Sequence, residues 1–453
     1  MPSALFVRQV GSAKNLVWME PATKPRNPNA LRKLRVALLV LLFLAAAEFV
    51  VRGPTRFLSG PAQWNDLSQN YTASKLWLRG QNPSDPRNFV TLWKQEVGSH
   101  LDLSDVRTHS APPPGTFVIL APIAAFPWPV AKVLWLGVLL MSFATTVGTL
   151  IQISGFQDDP LRTLAFITVC LALAPFQTGI AHGNASILVI GVCVMAISAA
   201  GSRRDLRAGL LFGLACSLKP HVGSFLVLFY VLHRRWRLFV TALAFTAVLA
   251  LAAILWMHLY GVSWRQDYFH NVKILATDNK IDDFTSANPS RFMLINLQPA
   301  LYSFTGSASS ANVLAWSVGV LLVGAWMYLI TRGHESRLEL LALGTIAVIG
   351  LLPVYHRLYD ASLLAIPLCW CLRQRTGELK YTALIALLLM APFLVPGTAL
   401  LQQLAAQGRV RVSWTRSWWW DRIVMPHETW ALLLLCLVLL YGIEQNRSSA
   451  ARS

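Results

Sequence analysis

Arg207-Ala-Gly-Leu-Leu-Phe-Gly-Leu-Ala-Cys-Ser-Leu-Lys219-Pro220-His221-Val-Gly-Ser-Phe-Leu-Val-Leu-Phe-Tyr-Val-Leu-His233-Arg234 is the stretch on which the fold turns. Its apolar run is long enough to cross a bilayer, which takes about 20 residues. Lys219-Pro220-His221 interrupts it in the middle. Proline removes a helix hydrogen bond and clashes with the preceding turn. A lysine at the centre of an apolar helix costs about 2.5–3.5 kcal/mol on insertion scales. Arg207 and Arg234 both stand in basic loops, and such loops stay on the cytoplasmic side. A run that starts and ends on one side is not a single span. It reads as a hairpin of two half-length helices with Lys219 and His221 at the tip. Irregular backbone at membrane depth is tolerated only where protein or a wet cavity surrounds it, so the tip is expected to face a cavity.

The rest of the chain has the same character. It is 55% hydrophobic and only 13% charged, which predicts a polytopic membrane protein and an all-α helical bundle in the lipid bilayer. No Pro/Gly/Ser linker or tandem repeat marks off a soluble domain. The formal charge of +18 is not the footprint of a nucleic-acid binder, because the basic residues form no single block. They punctuate short loops: Arg203, Arg204 and Arg207; Arg234, Arg235 and Arg237; Arg332 and Arg337; Arg373, Arg375 and Lys380. That is the positive-inside pattern. The six cysteines all lie in apolar runs without metal-ligand spacing, so packing accounts for them.

Charge parity then orders the chain. Residues 1–33 form a basic cytoplasmic segment, 34–443 one transmembrane domain and 444–453 a cytoplasmic tail. The first span covers about Leu34 to Val51, and polar loops at about 52–112, 260–311 and 397–428 fall outside. The short run at 115–125 enters and returns on one side, or lies along it. Counting such re-entrant and half-length helices, about 10–13 membrane segments are expected. Trp414 and Trp418-Trp419-Trp420 suit an interfacial aromatic belt.

The first outer loop carries Trp64-Asn-Asp66-Leu-Ser-Gln-Asn70-Tyr71-Thr-Ala-Ser-Lys75-Leu-Trp77-Leu-Arg79-Gly80. It reads as a short amphipathic helix lying along the interface and stopped at Gly80. Asp66 there has two readings: a proton acceptor at the lipid surface, or an N-cap with Gln69 completing a capping box. Other polar residues that solubility does not explain fall on the same outer side or at the hairpin tip. They are Asn70, Tyr71, His109, His182, Asn184, Lys219, His221, Arg291, His356, Arg357 and Asp360. Plainer roles stand beside the functional ones. Lys219 could pair structurally with a carboxylate, and His182-Gly183-Asn184 could be an ordinary turn. Arg357 and Asp360 could form an i,i+3 pair, and Arg291 could be a solvated charge. Together these residues describe a cationic cavity with a carboxylate at its rim.

Such a cavity suits a sugar joined to a lipid phosphate. A carboxylate can take the proton of an acceptor hydroxyl as it attacks the anomeric carbon. Lys, Arg and His donors can stabilise the departing phosphate. The chain has no Gly-rich phosphate loop followed by Lys-Ser/Thr and no outward Asp-x-Asp for a nucleotide-bound metal.

At these residues the chain resembles the polytopic glycosyltransferases of the GT-C fold class, most closely family eighty-seven. That family includes polyprenyl-phosphate-mannose-dependent mannosyltransferases and related arabinofuranosyltransferases. The resemblance is carried in order by Asp66, Tyr71 and Ala73; Gly80-Gln81-Asn82-Pro83; Pro112-Pro113, Pro122, Pro127 and Trp135; Gly183-Asn184-Ala185-Ser186; Lys219-Pro220 with Arg234-Arg235-Trp236-Arg237; and His356 with Pro367. Ser84 stands where the family commonly has tyrosine, Asn184 stands where it has glutamine, and the aromatic before Pro112-Pro113 is missing.

The resemblance implies an inverting sugar transfer with Asp66 as catalytic base and a polyprenyl-phosphate sugar as donor. The acceptor would be a lipid or glycan. His356 is expected to act beside Asp66, and the remaining polar residues to bind substrate. No cofactor and no metal ligands are expected, though the donor set does not exclude a divalent ion. The location implied is the inner (plasma) membrane, with the site facing the extracytoplasmic side. A lipid transporter or flippase is the competing reading, but the broken hairpin has no matched counterpart in the second half of the chain.

Overall fold

The break at Lys219 is present in the computed structural model of the chain. Lys219 has φ −142° and ψ 86° and separates the helices Asp205–Leu218 and Pro220–Leu232. Pro220 takes the first helical position of the second half, where its missing N–H would be unpaired anyway. The structure describes residues 28–450 apart from 63–64, 99–100, 104, 276–279, 281, 333–338 and 375–376. Trp64, Asp278, Arg337, Arg375 and the basic residues before 28 therefore lie outside the described residues.

Among the described residues the secondary structure is helical, with one isolated antiparallel bridge between Leu294 and Arg357. Five helices are long and apolar enough to cross a membrane, or seven if each of two bent pairs is one span. Shorter apolar helices include Gly115–Ala124, Ser186–Gly201, Pro220–Leu232 and Glu339–Gly350. This is the polytopic helical bundle expected, half-length helices included. The long helices expose large apolar side chains such as Phe43, Leu251 and Leu321, a band that water does not tolerate and lipid does. By contrast, every residue from Leu340 to Gly350 is buried, so the short helix Glu339–Gly350 forms the centre of the bundle. All six cysteines are free thiols, five buried and Cys216 partly so.

Small residues set the close packing. A Cβ on Gly209 or Gly213 would lie 2.6 Å from the Leu238 carbonyl oxygen or 2.8 Å from that of Ala242. This Gly-x-x-x-Gly face seats the first half of the hairpin directly on the Trp236–Leu259 helix.

Two elements differ from expectation. The first apolar helix does not end at Val51. It continues to Ser59 through a wide π turn at Val51–Thr55 that accommodates Pro54. Arg52 reaches back to Glu48 at 2.6 Å, which eases the placement of both charges.

The second difference is the Asp66–Leu78 helix, which does not lie on the surface. Leu67, Ser68 and the whole of Tyr71 to Trp77 are buried. Trp77 Nε1 donates to the Ala253 carbonyl at 3.0 Å, and Trp256 Nε1 donates back to the Trp77 carbonyl at 2.9 Å. Gly80, at φ +65°, stops the helix where a side chain would run into the Tyr260 ring. A mixed sequence that looked amphipathic is thus enclosed by neighbours from distant parts of the chain.

Candidate active site

The start of that helix decides the role of Asp66. Asn65 has extended backbone (φ −111°, ψ 116°), and its side chain accepts from the Leu67 N–H at 2.9 Å. Asn65 is therefore the N-cap, and Asp66 is the first helical residue. Gln69 completes no capping box; its Nε2 donates to the Arg107 carbonyl at 3.0 Å. The capping reading thus belongs to the neighbour, and the half-buried Asp66 carboxylate has another partner.

That partner comes from the turn between the helices Ala174–Ala181 and Ser186–Gly201. The His182 carbonyl accepts the Asp66 N–H at 2.7 Å, Trp135 Nε1 donates to the Gly183 carbonyl at 2.8 Å, and Asn184 Nδ2 donates to Asp66 Oδ2 at 2.5 Å. Gly183 has φ +63°, and a Cβ there would meet Asn65 and Phe57 within 2.5 Å. Only glycine lets the turn approach the helix start this closely. The segment is the turn that its sequence suggests, and the same turn brings Asn184 to the Asp66 carboxylate.

The hairpin tip supplies the other half. Lys219 Nζ donates to Asp360 Oδ1 at 2.9 Å and to Ser186 Oγ at 2.7 Å. Asp360 is fully enclosed, and His356, also enclosed, places Nδ1 3.2 Å from Asp360 Oδ2. Backbone holds this side in place. Ile295 N–H donates to the His356 carbonyl at 2.9 Å, and Arg357 N–H donates to Asp360 Oδ2 at 3.2 Å. The expected Arg357–Asp360 pairing thus uses the Arg357 backbone, and Lys219 is the cation on that carboxylate. His221 packs its ring edge-on to His356, centroids 4.9 Å apart.

Arg357 connects the two halves. Its guanidinium is buried, which disfavours its charge, but Tyr355, Tyr359, Asp66 and Asp282 outweigh that and push its pKa above the ordinary value. Asp282 is a third carboxylate at this site, after Asp66 and Asp360, and is hydrogen-bonded by Tyr355. Burial pushes its carboxyl up to about 6, against the pull of Arg357. A folded value above the unfolded one, about 3.9, means that its contribution to stability is full below about pH 4 and lost as pH rises through 6. Asp282→Asn is therefore expected to gain stability relative to the parent between pH 4.5 and 7, read by thermal unfolding in detergent at each pH. A difference that stays flat across that window would mean Asp282 is solvated.

Not every candidate joins this cluster. Asn70 sits one turn beyond Asp66, half-buried. Tyr71 is structural in its contacts: its hydroxyl donates to the Phe126 carbonyl at 2.9 Å and accepts from Lys75 at 2.7 Å. His109 lies 3.1 Å from the Thr108 hydroxyl, in the loop before the prolines. Arg291 pairs with Asp421 at 2.7 Å and lines a separate polar cavity of about 400 Å³ with Arg416, Arg422, Trp418 and Tyr302. Ser186, Tyr355 and Asp282 were not singled out from sequence. Ser186 did stand in the Gly-x-x-Ser segment, whereas nothing local distinguished Asp282 from the acids around it.

His221, His356 and Asp360 offer three metal-ligating atoms within 4.8 Å of one another. Lys219 already occupies Asp360 Oδ1, and a second cation beside that ammonium is repelled.

A family model described as glycosyltransferase family 87 matches residues 112–354. The match takes in Asn184, Ser186, Lys219, His221 and Asp282, while Asp66, His356 and Asp360 fall outside its bounds. No curated protein and no solved structure matches the chain. The matched segment is more than half of the chain, which therefore belongs to glycosyltransferase family 87 and is a multi-pass membrane glycosyltransferase.

Proposed function

We propose that the chain transfers a sugar, with inversion, from a polyprenyl-phosphate donor to a lipid or glycan acceptor on the extracytoplasmic face of the plasma membrane. The acceptor oxygen forms a bond to the anomeric carbon and gives its proton to Asp66. The bond from that carbon to the phosphate oxygen breaks, and polyprenyl phosphate leaves with the electron pair. Lys219 and Arg357 offset the charge that develops on the phosphate, and His356 and His221 donate N–H hydrogen bonds to it. Asn184 orients Asp66. No metal takes part in this scheme. The observation that carries it is the placement of the half-buried Asp66 carboxylate and the partly buried Lys219 ammonium on one hydrogen-bonded constellation, Asp66–Asn184–Ser186–Asp360–Lys219. The transporter reading has no comparable support once the family is known to be one of glycosyltransferases.

The test is reconstitution in liposomes with polyprenyl-phosphate sugars, alongside mass spectrometry of envelope lipids and glycans from a deletion strain. Transfer from the lipid-phosphate donor, and loss of one glycosylated product in the strain, are the expected results. Movement of lipid across the vesicle without any sugar joined to acceptor would overturn the reading. The sidedness has its own check. A cysteine at Phe269, exposed on the Arg265–Leu275 helix, should react with an impermeant maleimide from outside intact cells. Labelling only after lysis would reverse the topology.

A further inference from the structure

Ser186 opens the Ser186–Gly201 helix and is fully buried. Its hydroxyl lies 2.6 Å from Asn184 Oδ1, 2.5 Å from Asp360 Oδ1 and 2.7 Å from Lys219 Nζ. A hydroxyl has one proton and two lone pairs. The ammonium of Lys219 can only donate, so it takes a lone pair. The single proton of Ser186 then has two acceptors, Asn184 Oδ1 and Asp360 Oδ1, and serves one at a time. Asn184 Oδ1 also receives the Ser186 backbone N–H at 2.8 Å, which fixes the amide with its NH2 toward Asp66.

Which acceptor wins depends on Lys219. While the ammonium rests on Asp360, the buried carboxylate is compensated and the proton is available to Asn184. An anionic phosphate that draws Lys219 toward itself leaves Asp360 short of a donor. A charge-assisted bond is roughly twice as strong as a neutral one, so the proton of Ser186 then moves to Asp360. Asn184 loses that bond, and its NH2 becomes a weaker donor to Asp66 because bonds along a chain polarise one another.

We propose that Ser186 is a positioning residue that relays occupancy of the Lys219 phosphate site to the Asp66 carboxylate through Asn184. The relay rests on the reading of Lys219 as a ligand of the donor phosphate. It makes the carboxylate less encumbered once donor is present, when acceptor attack is required. The other charged or titratable groups facing Asp66 are Arg357, Tyr355 and Tyr359.

Linkage makes the relay testable by binding alone, since what phosphate does to Asn184 must be returned by Asn184 to phosphate. The probe is polyprenyl phosphate without sugar, titrated into the full-length chain in detergent. Asn184→Leu removes the competing acceptor, commits the Ser186 proton to Asp360 and frees Lys219. It should tighten polyprenyl phosphate by roughly 2- to 10-fold, the scale of one net hydrogen bond, although Asn184 does not touch the phosphate. Ser186→Ala should weaken binding by a similar factor, and Ser186→Thr, which keeps the hydroxyl, should restore it. In the Ser186→Ala background, Asn184→Leu should have no effect on binding.

Equal and independent effects in the double variant would overturn the relay, as would unchanged or weaker binding in Asn184→Leu. Should Ser186→Ala fail to fold, the Asn184→Leu titration still decides, because the sign of its effect is opposite to that of a damaged site. If the parent chain binds no polyprenyl phosphate, the donor reading falls and the relay falls with it. If the parent binds and transfers but shows none of these couplings, the relay alone is wrong.

Discussion

Asp66→Asn is expected to reduce sugar transfer by about 10²–10⁴-fold, the usual worth of a general base, while expression and polyprenyl-phosphate binding stay at parental levels. The geometry makes this substitution clean. The helix cap is Asn65, not Asp66, so the variant leaves the helix start intact. Asn184 Nδ2 can still donate to the side-chain oxygen of an asparagine at this position, as it does to Asp66 Oδ2 at 2.5 Å. What disappears is the negative charge that accepts the proton of the attacking hydroxyl. A carboxylate in the first turn of a helix is worth only about 0.3–1 kcal/mol, so unfolding in detergent should barely move. Transfer within a few-fold of the parent would remove Asp66 as the base and point to Asp282, the carboxylate of the site that is not paired with Lys219.

Lys219→Met carries the second large effect, and here stability and activity have to be separated. Lys219 is 15% exposed and Asp360 is 0% exposed at the side chain. Removing the ammonium leaves a buried carboxylate short of its cation, and breaking such a pair typically costs about 3–5 kcal/mol. A steep loss of thermal stability together with loss of transfer is therefore expected. The double variant Lys219→Met/Asp360→Asn removes both charges, and replacing both members of a buried pair is often close to neutral. It should recover most of the stability but not donor binding or turnover. If the double variant transfers sugar as the parent does, Lys219 serves the fold alone. If it recovers neither property, the Lys219–Asp360 pair is not the source of the stability loss.

Part of the candidate site was visible in the chain itself. Asp66, Lys219 and His356 stood out because each is polar beside segments that are otherwise greasy, and a bilayer makes that contrast costly. Their partners were less visible. Asn184 read equally well as a turn residue, and Ser186 as a small residue before an apolar helix. Arg291, which could be a solvated charge by sequence, pairs with Asp421 in its own cavity, whereas Arg357, the expected i,i+3 partner of Asp360, faces Asp66 and Asp282. Tyr71 belonged to the motif but turns toward Lys75 and the Phe126 carbonyl. The direction in which a side chain leaves its helix depends on which face the neighbours cover, and no local signal encodes that.

Sequence alone determined the class of the protein, the hairpin at Lys219-Pro220 and the order of its apolar segments. These follow from local physics: transfer free energy summed over about 20 residues, the missing N–H of proline, and the bias of basic loops. Tertiary structure decided the rest. It moved the cap from Asp66 to Asn65, because the cap is whichever residue leaves helical backbone first, and Asn and Asp are equally good at it. It enclosed the Asp66 helix through Trp77 and Trp256, 179 residues apart in the reciprocal bond. It also joined Asp66 to Asn184 across 118 positions and Lys219 to Asp360 across 141. Pairings at such separations arise only when the helices pack, because a buried charge finds whichever partner the bundle brings near.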